Sequence, residues 1–132
     1  IEADPKVIHR VEFINSKFFY TVQVDASESF ELCPADACNV EEQFCPTNPD
    51  GNKFMIIKDY KNPELINYVN FLKQNEIEIA GIEYMTDVQG IHYTYDVNTN
   101  TNYNSVAEKK AGMFGMKQIA LFLKDELQKI IK

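Results

Sequence analysis

The chain has 132 residues, of which 45% are hydrophobic and 25% are charged, and its formal net charge is −7. A chain of this length and composition can bury one ordinary hydrophobic core, so we expect a single domain over residues 1–132. The acidic balance argues against nucleic acid as the main partner, because binding to phosphates depends on basic patches. No apolar run approaches the roughly 20 residues of a membrane span, and we therefore expect no membrane partner.

Two alternating segments near the start of the chain predict a β-hairpin. Residues 6–14 and 17–24 flank an Asn-Ser dipeptide, which suits a two-residue turn because Asn tolerates a positive φ. Pairing Ile14 with Lys17 fixes which side chains share a face, since directly opposite residues point the same way. The apolar face would then carry Val11, Phe13, Phe18, Tyr20 and Val22. The opposite face would carry Arg10, Glu12, Thr21 and Gln23.

The stretch 25–52 is irregular and contains the three cysteines, which are Cys33, Cys38 and Cys45. An odd number of cysteines without a secretory context argues against a disulfide framework and predicts a reducing, cytoplasmic compartment. A zinc site would need a fourth ligand, such as His9 or His92, and the spacing matches no standard zinc motif. Ordinary thiols are therefore the more frequent explanation.

A short strand and an amphipathic helix are predicted next. The apolar run at 54–57 is typical of a strand, and Asn62 followed by proline is typical of a helix start. The helix is predicted to stop at Asn75. Its buried stripe would consist of Leu65, Ile66, Val69 and Leu72.

A second predicted hairpin carries the most informative pattern in the sequence. Residues 79–86 and 91–98 flank a four-residue loop that ends in Gly90, which can adopt the left-handed conformation that closes such a loop. Residues 91–98 alternate strictly between apolar and polar side chains, which is the pattern of a strand with one buried face. We expect Thr86 to pair with Ile91.

This register would place Glu83 opposite Thr94 and Ile82 opposite Tyr95. The hydrophobic pattern favours it, because a slip of one residue would mix apolar and polar side chains on each face. One side of the hairpin would then be polar, with Glu83, Thr94, Asp96 and Asn98. The other side would be apolar or aromatic, with Ile82, Tyr84, Tyr93 and Tyr95.

The polar side of this hairpin is a candidate site for a hard divalent cation. Glu83 and Asp96 supply carboxylates and Asn98 supplies an amide oxygen, and these are ligands that magnesium and manganese favour. With no basic residue nearby in the sequence, two carboxylates on one face repel each other unless a cation lies between them. A solvated outer face of the hairpin explains the same pattern about equally well.

The last segment predicts one long helix from about Ser105 to Lys129, with a bend near Gly112 or Gly115. The asparagine-rich stretch 99–104 before it could cap the helix or bind a ligand, and capping is the more frequent role. The packing stripe of the helix would be Met116, Ile119, Ala120, Leu123, Leu127 and Ile130. The sequence thus predicts an α+β fold, in which an antiparallel sheet of two hairpins packs against a mid-chain helix and a long C-terminal helix.

Three segments of the chain carry a family resemblance: HRVEFINSKFFYTVQV at 9–24, GIEY at 81–84, and YDVNTNTNYN at 95–104 with AE at 107–108. They resemble the closing part of ATP-grasp enzymes, in particular the glutamate-ligase-type carboxylate–amine ligases. In that family an acidic residue on the penultimate strand and an acid-x-Asn pair on the last strand hold the magnesium ions that bridge the ATP phosphates. The resemblance implies metal ligation by Glu83, Asp96 and Asn98, with Asn100 as a further cofactor contact.

Arg10 is the candidate catalytic residue of the first hairpin. Its planar guanidinium could grip phosphate oxygens bidentately. Two other roles explain it at least as well, since it could instead pair with Glu12 or remain a solvated side chain.

The resemblance implies ATP and magnesium or manganese as cofactors, and small-molecule carboxylate and amine substrates joined through an acyl phosphate. The nucleotide-binding elements of the family cannot be placed in this sequence. We therefore expect the C-terminal part of a longer ATP-grasp protein, inactive by itself. Two alternatives come from other classes: a non-catalytic acidic module that binds a partner or forms a homodimer through its long helix, and a simple calcium- or magnesium-binding protein.

Overall fold

The computed structural model describes residues 3–27 and 53–131, which form one five-stranded antiparallel sheet and three helices. In chain order the strands are β1 (Ala3–Ile14), β2 (Lys17–Asp25), β3 (Phe54–Ile57), β4 (Ile79–Asp87) and β5 (His92–Asn98). The helices are α1 (Leu65–Gln74), α2 (Ser105–Ala111) and α3 (Gly115–Ile130). The spatial order of the strands is β3-β2-β1-β4-β5, so the two predicted hairpins meet through β1 and β4. The predicted α+β class is confirmed.

The first hairpin has the predicted turn but not the predicted faces. Asn15 and Ser16 both have positive φ values, 57° and 52°, and Ile14 pairs with Lys17 as expected. A β-bulge then inserts Phe19 as an extra residue, because the pairs Phe13–Phe18 and Glu12–Tyr20 are consecutive. Every residue of β2 beyond the bulge is moved to the opposite face. The prediction that Tyr20 and Val22 share a face with Val11 and Phe13 is therefore wrong.

The bulge gives the sheet two different hydrophobic faces. The cluster between α1 and one face of the sheet consists of Val11, Phe13, Tyr68, Leu72, Ala80, Ile82 and Tyr84. The other face is built from Ile8, Tyr20, Val22 and Val24, with Tyr103 and Met113 packed against them. Arg10 and Glu12 lie on this second face, opposite Val22 and Tyr20 respectively. Thr21 and Gln23, predicted to accompany them, lie on the α1 side, paired with Val11 and His9.

Helix α1 begins and ends close to the predicted residues. The side-chain oxygen of Asn62 accepts a hydrogen bond from the backbone N–H of Glu64 at 2.9 Å, and Asn75 forms the C-cap. Leu72 is fully buried, and Leu65 and Val69 pack against the core, as predicted. Ile66 is 62% exposed, however, and its predicted place in the core is taken by Tyr68.

The predicted terminal helix is two separate helices. Gly112 adopts a left-handed conformation (φ 69°) and ends α2, and α3 begins at Gly115. The predicted stripe of α3 is not a packing stripe, because Phe122 is buried while most of the stripe is exposed. The exposed apolar residues of this stripe are Met116, Ala120, Leu123, Leu127 and Ile130. Of the asparagines before α2, Asn104 caps the helix by accepting a hydrogen bond from Ala107 N at 2.9 Å.

Two other expectations concern the cysteines and the membrane. Cys33, Cys38 and Cys45 lie outside the described residues, so the predictions about their thiols stay predictions. Among the helices that the structure describes, none has the length and apolar character that a bilayer crossing requires.

Candidate functional site

The second hairpin brings Glu83 and Asp96 directly opposite each other. The predicted register is wrong along the whole hairpin: near the turn Thr86 pairs with His92 and Tyr84 with Thr94, and farther on Glu83 pairs with Asp96 and Ile82 with Val97. A β-bulge between the Tyr84–Thr94 pair and the Glu83–Asp96 pair leaves Tyr95 as the extra residue of β5. The two carboxylates nevertheless share one face of the sheet, because directly opposite residues do so.

The bulge changes the membership of both faces of this hairpin. Thr94, predicted to lie with Glu83, faces α1 instead, where its hydroxyl lies 2.6 Å from the hydroxyl of Tyr68. Tyr95, predicted to lie with Ile82, instead donates a hydrogen bond from its hydroxyl to Glu83 Oε2 at 3.1 Å. Tyr93 likewise leaves the predicted aromatic face, since it pairs with Met85, two residues from Glu83 on the same strand.

Asn98 lies on the same face as the two carboxylates. It pairs with Gly81, which is two residues from Glu83 along β4. Its side-chain oxygen accepts a hydrogen bond from the backbone N–H of Asn100 at 2.8 Å, which orients the amide. Asn100 itself is exposed at the start of the loop that follows β5.

Arg10 extends this face onto β1, because it pairs with Glu83 across the β1–β4 ladder. Its Nε donates to Glu12 Oε1 at 2.5 Å, and its Nη2 donates to the backbone carbonyl of Asn102 at 2.9 Å. The side chain is only 11% exposed. The sequence shows no basic residue near the two carboxylates, but the fold supplies one from a distant strand. The ion pair between Arg10 and Glu12, which was one of the alternatives in the sequence analysis, is therefore present.

Glu12 is the site residue whose importance the sequence did not reveal. It is fully buried, and it pairs with Gly81 across the β1–β4 ladder. Gly81 leaves room for it, since a Cβ on this glycine would lie 2.9 Å from Glu12 Oε2 and 2.5 Å from Thr101 Cγ2. The apolar flanks Val11 and Phe13 made Glu12 look like an ordinary outward-facing residue of an alternating strand.

The six residues form two rows across three strands, and we call them the polar face. One row is Arg10, Glu83 and Asp96, and the other is Glu12, Gly81 and Asn98. Three carboxylates and one guanidinium thus lie on adjacent strands. The face is strongly acidic, and one edge of it is closed by the loop whose Asn102 carbonyl binds Arg10.

The electrostatics of the polar face favour a bound cation. Burial raises the pKa of the Glu83 carboxyl, Asp96 raises it further, and Tyr95 and Arg10 act in the opposite direction. Burial also raises the pKa of Glu12, and the Arg10 charge opposes that rise. The ionised form of Glu83 is thus poorly compensated, and a cation between Glu83 and Asp96 would stabilise it.

The donor chemistry fits magnesium or manganese, which take carboxylate and amide oxygens. Glu83, Asp96 and Asn98 are the residues on this face that could hold such an ion. Within the described part of the chain, no three His, Cys, Asp or Glu side chains are grouped closely enough to hold a metal. An ion held here would therefore use only two carboxylates, and would depend on Asn98, water or a bound anion for its other ligands.

Both histidines lie on the opposite face of the sheet, where they flank one tyrosine. The ring of Tyr84 lies 4.9 Å from the ring of His9 and 4.8 Å from that of His92. Burial lowers the pKa of His9, and the neighbouring His92 lowers it further. The hydroxyl of Tyr84 is hydrogen-bonded to that of Tyr60. This aromatic cluster packs the sheet against α1 and does not contribute to the polar face.

A buried glutamate on α2 anchors the helical layer beside the polar face. Glu108 Oε1 accepts hydrogen bonds from the Tyr20 hydroxyl at 2.6 Å and from the Gly115 backbone N–H at 2.7 Å. It therefore ties β2 to the beginning of α3. Its carboxylate has a structural explanation, unlike that of Glu83.

The fold of this chain resembles parts of several solved structures. The macrocyclase MdnC bound with precursor peptide MdnA, from Microcystis aeruginosa MRC, matches 96% of this chain with a TM-score of 0.58 at 13% identity. A RiPP-associated ATP-grasp ligase from Chryseobacterium gregarium, in complex with ADP and a leader and core peptide, matches 95% with a TM-score of 0.57 at 14% identity. The chain shares the fold of a part of the ATP-grasp ligases.

A third similar structure is the ATP-grasp ligase PsnB complexed with a phosphomimetic variant of its minimal precursor, Mg and ADP. It matches 89% of this chain with a TM-score of 0.54 at 13% identity. The chain spans about a third of the length of these ligases, 34%, 35% and 33% respectively. No protein-family model matches the sequence, and no curated protein matches it. The ATP-grasp likeness is therefore a likeness of fold.

Proposed function

We propose that this chain is the C-terminal, metal-binding lobe of an ATP-grasp ligase that joins a carboxylate to an amine. The observation that carries the proposal is the direct pairing of Glu83 with Asp96 on a face that also holds Asn98 and Arg10. The ATP-grasp fold of the chain supports it independently. Because the chain spans about a third of those ligases, we expect it to need the rest of such a protein for turnover.

In the proposed reaction, a substrate carboxylate oxygen attacks the γ-phosphorus of ATP, and ADP leaves. An amine then attacks the acyl carbon, loses a proton, and displaces inorganic phosphate. A magnesium or manganese ion, when bound, would neutralise phosphate charge. Glu83, Asp96 and Asn98 would hold that ion against the phosphates, and Asn100 could add a contact to the nucleotide. Arg10 would bind the transferred phosphoryl group.

The proposed reaction requires no covalent intermediate with the protein. Arg10 and the proposed ligands lie on β-strands, and hydrogen bonds fix Arg10, Glu83 and Asn98, so these residues would act by positioning and by electrostatic stabilisation. The substrates we favour are small-molecule carboxylates and amines. The similar ligases are bound to precursor peptides, so carboxylate and amine groups on a peptide form a second substrate class to test.

Magnesium titration of the 132-residue chain, with and without ATP, tests this proposal by NMR. We expect shifts confined to residue 83 and residues 96–102, and loss of those shifts in Asp96→Asn. The matched control is Asp125→Asn, an exposed acid on α3 that should titrate as the parent chain does. A parent chain whose amide signals do not respond to magnesium, alone or with ATP, would rule out the assignment.

One observation favours a second function. The stripe of α3 formed by Met116, Leu123, Leu127 and Ile130 is exposed, which suits an acidic module that binds a partner or dimerises through this helix. Analytical ultracentrifugation of the parent chain and of Leu123→Asp separates the two ideas. A dimer that the substitution dissociates, together with a silent magnesium titration, would favour the interaction module.

A further inference from the structure

The polar face contains one buried carboxylate that the proposed metal set does not use. Glu12 has no exposed surface, and one of its oxygens binds Arg10 Nε at 2.5 Å. Its other oxygen, Oε2, is buried near the Thr101 side chain, and a hydrogen bond from that hydroxyl partly offsets the rise that burial causes in the pKa of the carboxyl. Burying a carboxylate is costly even when it is hydrogen-bonded, so such a group requires an explanation.

The contacts of Arg10 supply that explanation. A guanidinium is a planar fork with five N–H donors, so fixing two of them fixes the direction of the rest. Glu12 binds Nε from one side, and the Asn102 carbonyl binds Nη2 from the loop after β5. Within the described residues, the hydrogen bonds of Arg10 use these two donors only. The remaining N–H groups belong to a guanidinium that sits beside Glu83 in the row leading to Asp96.

We infer that Glu12 is a positioning residue, which holds the guanidinium of Arg10 in the orientation that binds a phosphoryl group on the polar face. The inference rests on the proposed function, because it needs a phosphate on this face. Glu12 would touch neither metal nor substrate and would act only through Arg10.

The position of Glu12 in the strand explains why a glutamate suits this role. It lies two residues from Arg10 on β1, so both side chains project from the same face. Gly81 on the neighbouring strand leaves the space that its carboxylate occupies. Burial excludes water from the ion pair, and a pair that water cannot reach holds its geometry better than an exposed pair, where water competes and long side chains keep their rotamer freedom.

Tripolyphosphate with magnesium is the probe, because it carries the charged part of a nucleoside triphosphate without the base. Its affinity for the 132-residue chain is measured by NMR titration in the parent, Glu12→Gln, Arg10→Ala and the double variant. We expect Glu12→Gln to weaken binding about tenfold, because a neutral amide oxygen holds the guanidinium less tightly than a charged carboxylate does. We also expect no further loss when the substitution is added to Arg10→Ala, because Glu12 acts through Arg10. The Arg10 Nε–Hε signal should move in Glu12→Gln.

Glu108→Gln is the matched control, since Glu108 is also a buried, hydrogen-bonded glutamate but does not contact Arg10. It should leave the Arg10 signal and tripolyphosphate affinity unchanged. Glu12→Met, which removes the charge and keeps an unbranched side chain, is the second variant if the Gln chain is unfolded by its amide spectrum.

Two results overturn the inference in distinguishable ways. If the parent binds magnesium tripolyphosphate and both Glu12 variants bind it equally well, Glu12 has no positioning role and the proposed function stands. If the parent does not bind it at all, the proposed function fails and the inference fails with it. An equal loss of affinity from Glu12→Gln with and without Arg10 also overturns it, since the effect would then be general to the fold.

Discussion

Glu83 lies directly opposite Asp96 in the β4–β5 ladder, although the turn that joins their strands sets a different register. The bulge at Tyr95 makes this possible, and the hydroxyl of Tyr95 donates a hydrogen bond to Glu83 Oε2. Two carboxylates on adjacent strands repel each other unless charge of the opposite sign is close. In this fold Arg10 supplies part of that positive charge, and a cation bound to the polar face could supply the remainder.

The first prediction concerns Asp96. In a ligase that includes this chain, Asp96→Asn should abolish magnesium-dependent turnover, because it removes one of two carboxylates from the ion. The side chain is exposed, so the fold and its unfolding temperature should hardly change. Turnover is measured against magnesium concentration with Asp125→Asn as control. Activity near that of the parent would remove the metal assignment.

Glu83→Gln should stabilise the metal-free chain at neutral pH. The pKa of Glu83 is raised above its ordinary value of 4.5, so the carboxyl favours folding while protonated and loses this contribution as the pH rises through the folded-state pKa. The glutamine variant has no such loss. Its advantage in free energy of unfolding should grow between about pH 4 and pH 7, to the order of 1 kcal/mol.

Urea unfolding in EDTA at the two pH values measures this difference. Added magnesium should then stabilise the parent and leave the variant unchanged, because a ligand that binds only the folded state adds to stability. A variant that is less stable than the parent at pH 7 in EDTA would contradict the electrostatic argument.

Gly81→Ala should destabilise the fold and weaken phosphate binding together. The added Cβ would lie 2.5 Å from Thr101 Cγ2, 2.9 Å from Glu12 Oε2 and 3.3 Å from Arg10 Cδ. Overpacking of this kind costs about 1–3 kcal/mol, and relief of the contact would displace Glu12 and Arg10. Urea unfolding and tripolyphosphate titration measure the two effects.

Gly90→Ala is the control for this substitution. Gly90 has a φ of 81° and open space around its Cα, so alanine should cost about 1 kcal/mol through backbone strain alone. Its phosphate affinity should equal that of the parent. If both alanine variants bind phosphate like the parent, the close packing at Gly81 has no part in the polar face.

Acid should destabilise the chain through His9. The pKa of His9 is lowered from 6.5 by burial and by His92, so the folded state resists protonation that the unfolded state accepts. The unfolded chain therefore binds more protons below about pH 6.5, and the free energy of unfolding should fall as the pH is lowered. Glu12 and Glu83 act in the opposite direction, so the comparison is made between variants.

His9→Phe should lose less free energy of unfolding on acidification than the parent does. His92→Gln keeps His9, so it should still show the loss that His9 causes. Urea unfolding at pH 7 and pH 5.5 measures both. Parallel pH profiles for the parent and His9→Phe would show that His9 does not titrate differently in the two states.

The sequence predicted the positions of the strands and helices more accurately than the face on which each side chain lies. Strand alternation, the Asn15–Ser16 turn and the Asn62 and Asn75 signals placed the sheet and α1 correctly, because these are local preferences. The sequence predicts that Gly112 weakens the terminal helix, but whether the helix bends or ends at this glycine depends on tertiary packing.

Alternation could not reveal the two bulges. Phe19 lies between two aromatic residues, and Tyr95 continues an apolar–polar alternation, so the sequence remains compatible with an unbroken ladder at both places. The Arg10–Glu83 neighbourhood is also non-local, because it depends on which strand of the first hairpin pairs with β4. Apolar residues of α3 were assigned to a core that the described residues do not provide.

The Phe19 bulge has a consequence for how this hairpin is compared with other proteins. Along β2 the alternation of side chains between the two faces inverts at that residue, so that Phe18 and Thr21 lie on the α1 side and Tyr20 and Val22 lie on the opposite side. A gapless alignment to a hairpin without the extra residue would match positions that face α1 to positions on the opposite face of the sheet. Relatives of this chain are therefore best recognised when one column at Phe19 is free to be empty.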